Sequence, residues 1–346
     1  MPQTISLCMI TKNEEKFLEK CLNSIKEIVD EIIIVDTGST DRTIEIAKNF
    51  SEMRVSSRTR SQLTAKIFRF KWIDDFSAAR NESLKHATKD WILVLDADEV
   101  IEEKDSARIK NFIENANDFA GFTIEQRSYL NNFFEGAIKN DSNFKSVKKY
   151  PFYIPHFLVR IFKNGLGLYF KHRVHELVED SLKEKNLKYK KINVVLHHFG
   201  SLKEEGLISE KTEQYSKMIL QQLEEEPESA RYNYQAARMQ IGMQDFSNAL
   251  KYFKKTAKIN PNYKLVLSEI AKIYLQMNDK NRAIEYFKKS IKHNPENPSP
   301  ANNLAVAYMS IGKFEQARKI LEEQLKKHLN NRALKYNYEK VLENLK

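Results

Sequence analysis

Trp91-Ile92-Leu93-Val94-Leu95-Asp96-Ala97-Asp98-Glu99 sets five apolar residues directly against a cluster of three carboxylates. An apolar run of this kind fits a strand covered on both faces, as in parallel α/β sheets. Carboxylates at its carboxyl end fall where open α/β sheets bind ligands. Alternate residues of an extended segment point the same way, so Asp96 and Asp98 can reach one divalent ion or one nucleotide. Hard oxygen donors suit Mg²⁺ or Mn²⁺, and Mg²⁺ tends to share its coordination with substrate phosphates. An isolated acidic pair also serves simply as a turn, so the flanking sequence decides.

Upstream, strands and helices alternate. Ile5–Ile10 reads as a strand, and a helix opening at Asn13 or Glu14 carries Phe17, Leu18, Cys21, Leu22, Ile25 and Ile28 on one stripe. Glu31–Val35 is the next strand, followed by a helix capped at Thr40 or Asp41 and running to about Asn49. Residues 51–66 are polar and hard to place. Ile67–Phe70 reads as a strand, and Ser77–Ala87 as a helix that Ser77 can cap. This alternation predicts a parallel sheet with right-handed crossovers.

From about 120 to 200 the pattern changes. Aromatic runs at Gly121–Glu125, Phe157–Phe162 and Leu168–Phe170 predict antiparallel strands. Between Asn143 and His175 lie seven Lys/Arg and eight aromatics without an Asp or Glu. This fits a basic rim beside a phosphate-bearing substrate, or a solvated strand face.

Gly206–Leu223 reads as a helix joining two halves, with Ile208, Tyr215, Met218, Ile219 and Leu223 expected to pack. From about 226 the chain repeats itself. Ala249, Ala283 and Ala317 are 34 residues apart, as are Phe253, Phe287 and Leu321. Ala237, Ala271 and Ala305 keep the same phase, with Tyr274 and Tyr308 three residues after the latter two, and Asn precedes both Pro261 and Pro295. A 34-residue period of this kind resembles the tetratricopeptide repeat. About three stacked helical hairpins plus flanking helices are expected, serving either to bind a partner or to stabilise and dimerise the chain.

The 346 residues suffice for two domains, and 41% hydrophobic with 30% charged residues describes an ordinary soluble chain with a core. A net charge of +10 suits phosphorylated substrates, anionic surfaces or nucleic acid, and equally a lysine-rich proteome. Cys8 and Cys21 fall in apolar patterns and are expected to be reduced core residues. Without a visible signal peptide or an apolar run long enough to span a bilayer, a cytoplasmic location is expected, with peripheral membrane association left open.

Three further segments bear on chemistry. Ile10-Thr11-Lys12-Asn13-Glu14-Glu15 is a polar turn after the first strand, whose backbone N–H groups suit a base or phosphate, or simply cap the helix. In Ile34-Val35-Asp36-Thr37-Gly38-Ser39-Thr40-Asp41, Asp36 can accept hydrogen bonds from a nucleotide base or ribose, or form a turn. In Asp75-Phe76-Ser77-Ala78-Ala79-Arg80-Asn81, Arg80 suits a diphosphate, and Asn81 sits beside it.

In this order, these segments and Asp96-Ala97-Asp98 resemble the family 2 glycosyltransferases. The resemblance implies a GT-A nucleotide-sugar-binding domain over 1–205, a connecting helix over 206–225 and an all-α tetratricopeptide-repeat domain over 226–346. It implies an inverting transfer from a nucleotide diphosphate sugar, UDP-linked by expectation. Thr11, Asn13, Glu14, Asp36, Arg80, Asn81 and Asp96 would bind the donor. Asp98, Asp96 and His198 would hold Mn²⁺ or Mg²⁺. Phe76-Ser77-Ala78-Ala79-Arg80-Asn81, His172-Arg173-Val174-His175-Glu176 and Leu196-His197-His198-Phe199-Gly200, with the repeats, narrow the resemblance to repeat-bearing bacterial members. Among these are the peptide S-glycosyltransferases that modify bacteriocins such as sublancin. The polar stretch Ser56–Thr64 is longer than the family's usual link and leaves the pairing of the next strand open.

Inversion by direct displacement requires a general base on the acceptor, and Glu176, His175 and His172 are the candidates, Glu176 first. His197 is expected to pack or to position His198. The acceptor suggested by the repeats is a peptide or protein, with a cell-envelope or lipopolysaccharide glycan second. Self-association through the repeats stays open. A non-catalytic repeat scaffold is the rival reading, and nucleic-acid binding rests on charge alone.

Overall fold

The computed structural model describes residues 2–52, 63, 65–133, 136–200 and 205–346, without the side chains of 51, 52 and 205–212. Apart from Leu63, the Ser56–Thr64 stretch lies outside these residues, as does the Ile208 side chain. The chain divides into two compact units, Met1–Tyr215 and Ser216–Lys346, with the boundary inside helix α6 (Glu205–Glu225).

The first unit is built on a nine-stranded mixed sheet. Strands β1 (Ile5–Thr11), β2 (Glu31–Asp36), β3 (Ala65–Arg69) and β4 (Trp91–Val94) run parallel in the spatial order β3-β2-β1-β4. The strand after the long polar stretch therefore pairs with β2. Helices α1 (Leu18–Ile25), α2 (Thr43–Glu52) and α3 (Phe76–Lys85) make the crossovers. The apolar strands are continuous because both sheet faces are covered. Ile5, Leu7, Met9, Ile32, Ile34 and Leu93 join Leu18, Cys21, Leu22 and Ile25 of α1 in one core, whereas Cys8, Ile33, Ile92 and Val94 enter a second core with Phe162 and Phe170. Both cysteines are free and buried.

α1 begins later than expected, at Leu18, after a turn in which Asn13 adopts a left-handed φ of 55°. The cap of α3 is Asp75 rather than Ser77: its carboxylate accepts from Ala78 N–H at 2.9 Å and from the Ser77 hydroxyl at 2.7 Å. The carboxylate at the residue before the helix thus serves both groups, and the Ser77 hydroxyl is itself one of the donors it satisfies.

The sheet continues antiparallel from β4 into β8 (Phe152–Lys163), then to β6 (Phe119–Leu130), to β9 (Lys188–His198) and to the short β5 (Glu99–Ile101). The two-residue β7 (Ile138–Lys139) pairs beside β8. β6 and β9 are parallel, and β9 and β5 antiparallel. Helices α4 (Glu103–Glu114) and α5 (Glu179–Glu184) complete the unit. Leu168–Phe170, read as a strand from its aromatics, is irregular; Asn81 holds it by exchanging two hydrogen bonds with the Phe170 backbone, at 2.7 and 2.9 Å.

The second unit is helical. Helices α7 (Ala230–Gly242), α8 (Phe246–Ile259), α9 (Val266–Gln276), α10 (Lys280–His293), α11 (Pro298–Met309), α12 (Phe314–Lys327) and α13 (Arg332–Asn344) pack in sequence. The phased alanines 237, 249, 271, 283, 305 and 317 are all fully buried, with Phe253, Phe287 and Leu321 beside them. Alanine at the closest approach lets the helices approach without voids. α8 and α10 stop at Asn260 and Asn294, directly before Pro261 and Pro295, as the residue preceding proline disfavours the helical region. Among the described residues, no helix is long and apolar enough to cross a membrane.

Candidate active site

The carboxyl ends of β1, β2 and β4 open onto a cavity of about 270 Å³ lined by Thr11, Lys12, Glu14, Thr37, Trp72, Phe76, Arg80, Asp96, Asp98, Glu176, His198 and Tyr215, among others. Beneath it runs a chain of alternating charges, of which Arg80, Asp96 and Glu176 reach the cavity. Arg80 donates from Nε to Glu176 Oε1 at 2.5 Å and from Nη2 to Asp96 Oδ1 at 2.7 Å. Asp96 Oδ2 lies 3.6 Å from Arg160 Nη2, which also bonds Glu99 Oε1 at 2.8 Å. Glu99 Oε2 accepts from Asp96 N–H at 2.8 Å. Burial works against charge throughout. Around Arg80 the carboxylates of Asp96 and Glu176 outweigh burial and hold its pKa above the ordinary arginine range. At Asp96 the two guanidinium groups overcome burial and push the carboxyl well below its usual range. Glu99 is different: burial dominates, and Asp96 opposes the one compensating arginine, so its pKa rises to about 8.

Among the described residues, two polar atoms buried behind this wall have no hydrogen-bond partner, Thr11 Oγ1 and Arg80 Nη1. Both residues line the cavity, but these two atoms are shielded from solvent, and each is a desolvation cost carried by the wall of the site. Asp98 and His198 meet at the other end, Oδ1 to Nε2 3.7 Å. The register Glu99↔His198 between β5 and β9 brings them together, and Ser128 on β6 meets the other imidazole nitrogen at 3.0 Å. Gly200 makes room: a Cβ there would stand 2.5 Å from His198 Nε2 and 2.9 Å from Asp98 Oδ2.

Residues 6–174 match the family model "Glycosyl transferase family 2", and residues 230–263 and 281–336 match tetratricopeptide-repeat models. The chain carries a family 2 glycosyltransferase domain followed by tetratricopeptide repeats. A TPR repeat-containing protein of Synechococcus elongatus is 34% identical over 178 residues, which are 51% of this chain and 36% of that protein. The SPbeta prophage-derived glycosyltransferase SunS of Bacillus subtilis is 28% identical over 263 residues, 75% of this chain and 54% of its own. The chain thus spans between about a third and a half of the length of these curated relatives. Among solved structures, a crystal structure of MamA aligns with a TM-score of 0.33 and 12% identity over 40% of this chain and 91% of that one.

In the first unit, Thr11, Glu14, Arg80, Asp96, Asp98, Glu176 and His198 share the cavity. Asn13, Asp36, Asn81, His172 and His175 are not among its lining residues. Asn13 latches two loops, accepting from Thr40 N–H at 2.8 Å while its own N–H bonds Ser39. Asp36 closes its own turn on the N–H groups of Gly38 and Ser39. Asn81 clamps Phe170, as described. His172 pairs with Asp180 at 2.7 Å, and exposed His175 lies 6.0 Å from the Tyr215 ring. His197 is fully buried between Tyr129 and Glu102, at 2.6 and 3.0 Å, and burial lowers its pKa. It holds β9 in place while the adjacent His198 faces the cavity.

Arg160, Glu99 and Tyr215 were not singled out by sequence reasoning. Arg160 lies within the acid-free basic stretch and Glu99 ends the acidic cluster, so each carried a faint signal. Tyr215, expected only to pack, instead lines the cavity and stacks on Phe76 at 5.4 Å.

Asp98 and His198 are a carboxylate and an imidazole within reach of each other, a donor pair suited to Mn²⁺ or Mg²⁺ when diphosphate oxygens and water supply the rest. Among the described residues no three His, Cys, Asp or Glu side chains are grouped to hold a metal by themselves. Asp96, expected as a further ligand, faces Arg80 and Arg160.

Proposed function

We propose that the N-terminal unit transfers a sugar, with inversion, from a UDP-linked donor to a peptide or protein. The observation carrying this reading is the convergence of the Asp98–His198 pair and the Arg80 side chain on one cavity at the carboxyl ends of parallel strands. Departure of a nucleotide diphosphate develops negative charge, and fixed positive groups in a partly desolvated site stabilise it. Arg80, locked between Asp96 and Glu176, is already oriented and need not reorganise. Asp98 and His198 would hold the divalent cation, which when bound supplies further charge stabilisation at the diphosphate.

Of the three base candidates, Glu176 lines the cavity, and we assign it the acceptor proton. The peptide acceptor is supported by the repeats, which commonly bind extended chains, and by the motif resemblance to peptide S-glycosyltransferases.

The test is binding and hydrolysis across a panel of nucleotide sugars, with and without Mn²⁺, in wild type and Asp98→Ala. One donor bound in a metal-dependent way, with that dependence lost in the variant, is expected. A folded protein that binds no donor in the presence of metal would replace this reading with the scaffold.

A further inference from the structure

We infer that Arg160 is a positioning residue of the transfer site, acting on Arg80 through Asp96. The inference rests on the proposed glycosyl transfer.

The first observation is backbone geometry. β6 and β8 pair Phe122 with Ile161 and then Thr123 with Val159, so Arg160 is the extra residue of a β-bulge. A bulge re-aims side chains and is common beside active sites. Here it breaks the alternation of β8: Val159 and Ile161, two residues apart, enter different cores.

The second observation is what the re-aimed side chain meets. Arg160 is 7% exposed, and its Nη2 reaches Glu99 Oε1 at 2.8 Å, Gln126 Oε1 at 3.1 Å and Asp96 Oδ2 at 3.6 Å. Its Nε is buried without a hydrogen-bond partner among the described residues. Asp96 thus lies between two guanidinium groups with different surroundings: Arg80 lines the cavity, and Arg160 is not among the cavity's lining residues. The Glu99 carboxylate ties the back of the arrangement, holding Arg160 with one oxygen and the Asp96 N–H with the other. A carboxylate gripped by Arg80 alone can follow that side chain toward a ligand. One also attracted by Arg160 and fixed at its own backbone cannot, so Arg80 is held against a stationary anchor. Arg160 touches no reacting atom; it fixes the group that fixes Arg80.

The test compares wild type with Arg160→Lys and with Arg160→Met combined with Glu99→Gln, in which the glutamine oxygen can still accept from the Asp96 N–H and no buried carboxyl is left without its arginine. Hydrolysis of UDP-glucose and UDP-N-acetylglucosamine with Mn²⁺ is followed over a range of donor concentration, below the melting temperature of each protein. In the double variant, kcat should fall by roughly tenfold to a hundredfold with donor KM changed less than threefold, as expected for lost orientation rather than lost binding. Lysine should restore part of kcat, since it keeps the charge but not the fork. A lower melting temperature with kcat within twofold of wild type would overturn the inference. If wild type hydrolyses neither donor, the functional reading is what fails. Arg160 is then judged by the side-chain NMR resonances of Arg80, which should be sharp in wild type and exchange-broadened in the double variant. Unchanged Arg80 resonances would overturn the positioning role.

Discussion

Gly200→Ala should disable the candidate metal end of the cavity while leaving the fold standing. Gly200 lies outside the left-handed region, so the substitution is a question of space, not of backbone strain. The new Cβ would fall 2.5 Å from His198 Nε2, 2.8 Å from Cε1 and 2.9 Å from Asp98 Oδ2. Against an ordinary contact of about 3.5 Å, the shortfall is ~1 Å at the imidazole and ~0.6 Å at the carboxylate. The imidazole cannot simply slide away, because its Nδ1 is held by Ser128 at 3.0 Å. The pair must therefore separate or rotate by about an ångström. Misplacement on that scale costs on the order of 10²-fold in turnover, which is about 2.7 kcal/mol of barrier. The clashing atoms are side-chain ends, so the folding cost should stay at the lower end of the roughly 1–3 kcal/mol seen for overpacking. The assay is metal-dependent donor hydrolysis over a Mn²⁺ titration, beside a thermal melt. A raised half-saturating Mn²⁺ concentration and roughly hundredfold slower turnover, in a protein still cooperatively folded, are expected. Wild-type turnover and an unchanged Mn²⁺ titration would refute the placement of Asp98 and His198 around a common ligand.

Three other outcomes follow from particular contacts. Glu176→Gln should lower transfer to acceptor while leaving donor affinity within a few-fold; equal loss of both, by calorimetry and turnover, would assign Glu176 to holding Arg80 alone. Glu31, 5% exposed in its side chain, is raised by burial but held down by Lys66, Ser6 and Thr88, and its pKa falls from the ordinary 4.5 to about 2. Its contribution is thus fully present above about pH 4.5 and is lost as pH falls toward 2; in Glu31→Gln, urea unfolding should lose that part of the acid slope along with ~1–3 kcal/mol at neutral pH, and parallel wild-type and variant profiles would contradict it. Ala283→Leu, at a fully buried helix contact, should destabilise the repeat unit by about 1–3 kcal/mol in a thermal melt, and an unchanged transition would show that the alanine phase does not set the helix spacing.

Much of this molecule is written in short-range pattern. The run Trp91–Leu95 is apolar at consecutive positions because its alternate residues serve two cores, and that could be read without coordinates. So could the 34-residue alanine phase, because each helical hairpin repeats the same local contact. Asp96, Asp98 and Arg80 stand at strand ends and helix starts, positions that turn and period signals locate.

The charge chain lay beyond such reading. Glu99 and Arg160 are 61 residues apart in sequence, and Arg80 and Glu176 are 96 apart. Their meeting depends on strand order and register, and for Arg160 on one extra residue in β8. Short polar side chains are ambiguous for the complementary reason. Asp36, Asn13 and Asn81 have ligand-binding chemistry, and the same atoms also satisfy backbone groups of neighbouring loops. The two-unit plan, the doubly covered strands, the repeats and the strand-end carboxylates are legible in the sequence alone, since each follows from periodicity within a few turns of chain. Which charges pair, and that Tyr215 lines the cavity, emerge only in the folded chain, because long-range register and burial set these contacts and leave no local period to read.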